Sequence, residues 1–175
     1  SKATMADGRL KGKVAIITGA ARGQGACEAR LFVEEGAHVV LGDIMDEEGQ
    51  ALAEELGAAA RYVHLDVREE TDWAGAVQAA GEFGPLNVLI NNAAVVHFSA
   101  ITDTTLDDYN RVVSINQTGT FLGLRSAFEP MKAAGGGTPA RGSLRLDGAV
   151  RPSTTKRTTG WRSSSIGRLS SCTSG

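Results

Sequence analysis

Between residues 13 and 43 an apolar run, KVAIIT, hands over through GAARGQG to a helical pattern, which leads to a second apolar run ending in an acid, HVVLGD. That order constrains the chain more than any other feature. The residues at 13–18 are continuously apolar rather than alternating, so they read as a strand covered on both faces. A strand ending at Thr18 must turn sharply to enter a helix, and Gly19 takes backbone angles that a side chain forbids. Gly23 and Gly25 remove side chains where a phosphate or a neighbouring strand comes close. The helix expected over 24–35 aims free N–H groups and the positive end of its dipole at the same spot. Gly36 stops it. The second strand closes on Asp43, 20 residues after Gly23. A carboxylate there accepts hydrogen bonds from both hydroxyls of an adenosine ribose and repels a 2′-phosphate. The expected ligand is therefore a dinucleotide, NAD rather than NADP. Arg22, in the turn, either lies along the phosphates or reaches solvent.

The same grammar repeats along the chain. DEEGQALAEEL opens with acids in its first turn and stops at Gly57, as an amphipathic helix does. ARYVHLDV reads as a third strand, 69–83 as a third helix and NVLINNAA as a fourth strand running into a loop. A long helix is expected over 105–134, capped by Thr104 or Thr105, with apolar residues on more than one stripe and so buried on two sides. Four alternations of strand and helix predict an α/β fold, a Rossmann-type doubly wound parallel sheet in the order 3-2-1-4. That order leaves the fourth strand at an edge, with further C-terminal strands missing or replaced.

The net charge of −2 gives no overall polybasic signal for nucleic acid, but it hides a split. Residues 138–175 carry +6 and the first 137 carry −8. The C-terminal part holds 14 Ser and Thr in 38 residues and has no helical or strand period. It is expected to be an irregular, solvated, disordered tail. The expected organisation is an N-terminal extension over 1–12, a dinucleotide-binding domain over 13–137 and the tail over 138–175. Two cysteines are too few for a disulfide framework, and no His/Cys cluster has metal-ligand spacing. No apolar run approaches a membrane span and none forms a signal-peptide core, so the expected location is cytoplasmic.

Four ordered motifs resemble the short-chain dehydrogenase/reductase family. Thr18, Gly19, Gly23 and Gly25 match its Thr-Gly-x-x-x-Gly-x-Gly. LDV, at 65–67, matches the segment whose acid, here Asp66, reaches the adenine ring. NNAA, at 91–94, matches Asn-Asn-Ala-Gly, in which the residues here numbered Asn92 and Ala93 line the cofactor, and Ala94 departs from the family's glycine. INQTGTFLG matches the segment whose Asn, here Asn116, belongs to the catalytic tetrad. The wording of roughly residues 8–137 is nearest to bacterial 3-alpha/20-beta-hydroxysteroid dehydrogenases. The resemblance implies NAD, with Gln24, Ile44 and Val67 completing the cofactor-binding set. It also implies hydride exchange with a secondary alcohol or ketone, a small-molecule substrate, and a homo-oligomer in which the long helix forms part of the subunit interface.

The family's chemistry further needs a Ser on the fifth strand and a Tyr-x-x-x-Lys on the next helix. The only tyrosines here are Tyr62 and Tyr109, both ahead of that place and neither followed by Lys four residues on. Without such help a tyrosine, with an ordinary pKa of about 10, is a poor base at neutral pH. The chain as written is therefore expected to be inactive: an oxidoreductase by resemblance, or alternatively a catalytically dead NAD-binding or interaction module. The break near residue 137 fits either a shifted reading frame in the coding sequence or a short chain whose tail has another use.

Overall fold

The computed structural model describes residues 8–136 and 138–140. Five parallel strands form one sheet in the order β3-β2-β1-β4-β5. β1 (Val14–Thr18) is buried along its whole length. It pairs with β2 (His38–Asp43) from Val14 opposite His38 to Thr18 opposite Gly42. On its other side β1 pairs with β4 (Leu86–Ile90). β3 (Ala60–His64) lies outside β2 and is the half-exposed edge.

Between the strands run α1 (Gly23–Glu34), α2 (Asp46–Leu56) and α3 (Glu70–Phe83). They cover opposite faces, because side chains alternate along each strand. Val14, Ile16, Val40 and Leu89 enter one core with Trp73 and Ala76 of α3. Ile17, Val39, Leu41 and Ile90 enter the other with Ala26 and Ala29 of α1 and Leu52 of α2. The sheet is thus doubly wound, as the continuously apolar strands require.

Two features differ from the sequence expectation. The long helix is interrupted: α4 (Leu106–Val113) leads through a π-helical turn (Ser114–Thr118) into α5 (Gly119–Ala133). Its start is settled by Thr105, whose hydroxyl accepts from the Asp108 amide at 3.1 Å while the Asp108 carboxylate accepts from the Thr105 amide at 3.4 Å. Its end is a glycine pair with positive φ, Gly135 at 87° and Gly136 at 96°, which reverses the chain. That reversal lays β5 (Thr138–Ala140) beside β4, Val88 opposite Thr138 and Ile90 opposite Ala140. The fourth strand is therefore not the edge, and three residues expected in the tail belong to the sheet. The rest of the expected tail and most of the N-terminal extension lie outside the described residues. No described helix is long and apolar enough to cross a membrane.

Candidate functional site

The carboxyl ends of β1, β2 and β4 meet at one rim, and the glycine turn sits there. Gly19 (φ 63°) and Gly23 (φ 57°) both hold the left-handed backbone that favours glycine. The three glycines do different things. A Cβ on Gly25 would lie 2.1 Å from the Gly19 carbonyl oxygen, so Gly25 lets the helix close onto the turn. A Cβ on Gly19 would lie 2.9 Å from the Ala93 Cα, so Gly19 lets the turn close onto the loop after β4. A Cβ on Gly23 would meet nothing within 4 Å. Gly23 presents bare backbone to open space beside the start of α1, where Arg22 supplies no side-chain cap.

Thr18 and Asn92 staple that turn to β4. The Thr18 hydroxyl donates to the Ile90 carbonyl at 3.3 Å and accepts from the Asn92 and Ala93 amides at 3.1 and 3.0 Å. The Asn92 side chain donates back to the Thr18 and Gly19 carbonyls, each at 3.1 Å. On the opposite side, Asp43 is buried and its carboxylate accepts from the main chain three times: from Ala21 at 2.9 Å, Ile44 at 2.8 Å and Met45 at 3.1 Å. A carboxylate offers about four acceptor sites, so one remains for a ligand hydroxyl.

These walls enclose a cleft of about 350 Å³. Of the residues read from the sequence, Gly19, Arg22, Gly23, Asp43, Ile44, Asp66, Val67, Asn92 and Ala93 line it. Gln24 and Gly25 do not: the Gln24 amide donates to Glu28 at 2.7 Å on the outer surface, and Gly25 is packed within the turn. Ala94, the departure from the family's glycine, also lines the cleft. Leu65 and Ile115, the first residues of the LDV and INQTGTFLG segments, line it too, as do Met45 and Val95, which carried no signal in the sequence beyond lying near motif residues.

Asp66 is already engaged. Its carboxylate accepts from the Arg68 amide at 3.0 Å and from Arg68 Nε at 2.9 Å, and its own amide donates to Asp72 at 3.0 Å. The Arg68 guanidinium holds the Asp66 carboxyl below the usual carboxylate range. A ligand amino group arriving there shares its acceptor with Arg68. Asn116 lies in the π-helical turn, next to Ile115. Its side chain grips Val95 at both ends, accepting from the Val95 amide at 2.9 Å and donating to the Val95 carbonyl at 2.8 Å. Its main-chain carbonyl accepts from the Thr120 hydroxyl at 2.8 Å. Asn116 thus supports the cleft wall without lining it. Among the described residues no group of His, Cys, Asp and Glu could hold a metal ion.

A family model described as short chain dehydrogenase matches residues 13–138. Over 132 residues the chain is 52% identical to the 3-alpha-(or 20-beta)-hydroxysteroid dehydrogenase of Mycobacterium tuberculosis, covering 75% of this chain and 51% of that protein. It is 44% identical over 138 residues to the trans-4-hydroxycyclohexanecarboxylate dehydrogenase of Sinomonas cyclohexanicum, covering 73% and 53%. Among solved structures it resembles the 3-ketoacyl-(acyl-carrier-protein) reductase of Brucella melitensis complexed with NADH, with a TM-score of 0.70 and 36% identity over 72% of this chain and 52% of that one. The chain spans about half the length of these proteins.

Proposed function

The chain belongs to the short-chain dehydrogenase family, and from that premise we propose that its cleft holds NAD. The parent reaction is hydride exchange between the nicotinamide and a secondary alcohol or ketone of the hydroxysteroid class. The observation that carries this reading is that the bare turn at Gly23 and the Asp43 carboxylate face one cleft. The fit is physical. The open space before Gly23 and the uncapped start of α1 suit a diphosphate. The remaining acceptor site of Asp43 suits a ribose hydroxyl, and its negative charge, buried and met by the main-chain amides of Ala21, Ile44 and Met45, disfavours a 2′-phosphate. The cleft volume lies within the usual range of small-molecule sites, about 300–1,000 Å³. Arg22, exposed at the rim of the cleft, suits phosphate oxygens. When bound, the dinucleotide supplies the hydride chemistry. The residues named here bind and orient it.

We further propose that the 175-residue chain binds without turnover. Tyr62 is committed elsewhere: its hydroxyl donates to the Asp43 carbonyl and the Asp46 carboxylate, at 2.7 and 2.6 Å. Burial and then the Asp46 carboxylate push its phenol well above the ordinary value, the wrong direction for a base at neutral pH. Tyr109 is exposed on α4 and does not line the cleft. The catalytically silent reading, an NAD-binding or interaction module, is favoured on this ground for the chain as written. A homo-oligomer is favoured by the apolar surface of the loop before α4 and of α4 and α5, where Phe98 is 91% and Ile101 89% exposed and Leu106 and Phe121 stand out as well. A cytoplasmic location fits these roles.

Titration calorimetry with NAD and NADP tests the reading. Binding of NAD with weaker or no binding of NADP is expected, and Asp43→Ala should remove that preference. No heat with NAD from the folded protein refutes it.

A further inference from the structure

We propose that Tyr62, together with Asp46, is a positioning residue that fixes the Asp43 to Met45 wall of the cleft and so aims the Asp43 carboxylate. This rests on the dinucleotide reading for the ligand but on the structure alone for the anchoring. The segment joining β2 to α2 is only two residues, Ile44 and Met45, and both line the cleft. Ile44 is 60% exposed, so packing does little to hold it. Met45, at the cap position of α2, gives the helix no side-chain hydrogen bond. The segment's amides are tied to the Asp43 carboxylate, and what ties that residue to the rest of the sheet comes from the edge strand.

Tyr62 stands opposite Leu41 in the β2–β3 pairing, and its ring lies against α2 so closely that a Cβ on Gly49 would be 2.2 Å from Tyr62 Cε2. The absence of a side chain at Gly49 lets the phenol reach past α2 to the end of β2. There its hydroxyl meets two groups that can only accept, the Asp43 carbonyl at 2.7 Å and Asp46 Oδ1 at 2.6 Å. One phenolic proton is shared between them. His64 Nδ1 lies 2.7 Å from the same Asp46 oxygen and must therefore carry a proton of its own. Asp46, the first residue of α2, is thus turned away from capping its helix and tied back to β3. The Asp43 carbonyl accepts a second bond, from the Leu65 amide at 2.9 Å.

Residue 43 is consequently held from two directions. Its main chain is pinned by Tyr62 and Leu65, and its side chain by the amides of Ala21, Ile44 and Met45. The two sets share one backbone unit, so releasing the first lets the second drift. A hydrogen bond to a ribose hydroxyl weakens steeply once its geometry slips, so the affected quantity is recognition of the 2′-hydroxyl rather than overall dinucleotide affinity.

The test compares the full chain with its Tyr62→Phe and Asp46→Ala variants. Amide hydrogen exchange over residues 44–49 is followed without ligand, and binding of NAD and 2′-deoxy-NAD is measured by calorimetry. Both variants should exchange faster at 44–49, and Tyr62→Phe should bind NAD about 3- to 10-fold more weakly while 2′-deoxy-NAD binding changes little. Unchanged exchange together with an unchanged ratio of the two affinities overturns the proposal. So does an equal loss for both ligands with exchange at 44–49 as in the parent, which marks a merely structural tyrosine. If the parent itself ignores NAD but the variants exchange faster, the cofactor reading falls and the anchoring role of Tyr62 stands.

Discussion

Gly23 and Gly25 stand one residue apart in the same turn, yet the structure gives them opposite tasks, and alanine separates them. A methyl group on Gly25 would sit 2.1 Å from the Gly19 carbonyl oxygen and 2.7 Å from Asn92 Nδ2. Neither contact can yield cheaply. The first is backbone, and the Asn92 amide is tied to the Thr18 and Gly19 carbonyls at 3.1 Å each. Room is made only by lifting the turn away from the loop after β4. Overpacking of this kind costs about 1–3 kcal/mol, and the two amide bonds put at risk are worth about 0.5–1.5 kcal/mol each. Gly25→Ala should therefore lower the unfolding free energy by about 2–6 kcal/mol, a large share of the roughly 5–15 kcal/mol that holds a domain together.

Gly23→Ala meets no atom within 4 Å. Its cost is the left-handed backbone alone, φ 57°, about 1–2 kcal/mol for a residue with a Cβ. The new methyl then occupies the open space at the mouth of the cleft. This variant should stay folded and lose NAD affinity by about tenfold or more, roughly 1.4 kcal/mol. Urea unfolding followed by circular dichroism measures the first effect and calorimetry the second. A Gly25→Ala protein within about 0.5 kcal/mol of the parent, or a Gly23→Ala protein that binds NAD as the parent does, would refute the division of labour.

Three further outcomes are expected. Asn116→Ala strips both Val95 hydrogen bonds and leaves a part-buried amide and carbonyl without them, so urea unfolding should show a loss of about 1–3 kcal/mol. The His64 imidazole has its pKa raised chiefly by its hydrogen bond to Asp46, against an opposing effect of burial and with lesser help from the Asp46, Asp72 and Asp66 charges. A raised folded value means its contribution is full below the unfolded pKa of about 6.5 and fades as pH rises through the folded value. Asp46, lowered by Tyr62 and His64, contributes above its ordinary range and fades in acid, so the stability gap between the parent and His64→Gln should peak in mildly acidic solution and close at alkaline pH. Finally, the purified chain should give no NADH from NAD and a hydroxysteroid, and reading the coding DNA in the other frames past codon 137 should reveal a Ser and a Tyr-x-x-x-Lys if a frame shift made the tail.

The strand order was legible from the alternation of strand and helix, and the two-sided cores because the residues of β1 and β2 announce burial on both faces, as Val14 to Ile17 do. The cap at Thr105 was legible to within one residue because Thr-x-x-Asp is a local pattern. The π-helical turn was not: Val112, Val113 and Phe121 keep a helical spacing, and the extra residue is absorbed where Asn116 reaches sideways to Val95, 21 positions back. β5 was invisible because Thr-Pro-Ala has no strand signal of its own and pairs only after Gly135 and Gly136 turn the chain onto β4. Spacing placed Gln24 and Gly25 in the turn but could not say which way they face. The anchoring of Asp43 by Tyr62 was equally out of reach, since an edge-strand tyrosine 19 residues away reads in sequence as ordinary strand packing.

Among the described residues the lining of the cleft runs from Gly19 to Ile115, while the proton-transfer groups of the family would follow α5. On the reading proposed here, dinucleotide binding and turnover are therefore separable along the chain, and binding can outlive the loss of turnover. It also bears on whether the fold survives. Phe121 and Phe128 leave apolar surface exposed on α5, and Val96, Phe98 and Ile101 do the same in the loop before α4. A fold with such uncovered surface gains from any ligand that binds only its native form. At a hundred times its dissociation constant NAD adds about 2.7 kcal/mol. A thermal unfolding midpoint that climbs with NAD concentration, and climbs less in Asp43→Ala, is the expected signature; a midpoint indifferent to NAD at saturating concentration would mean that the cleft, though shaped for a dinucleotide, takes none.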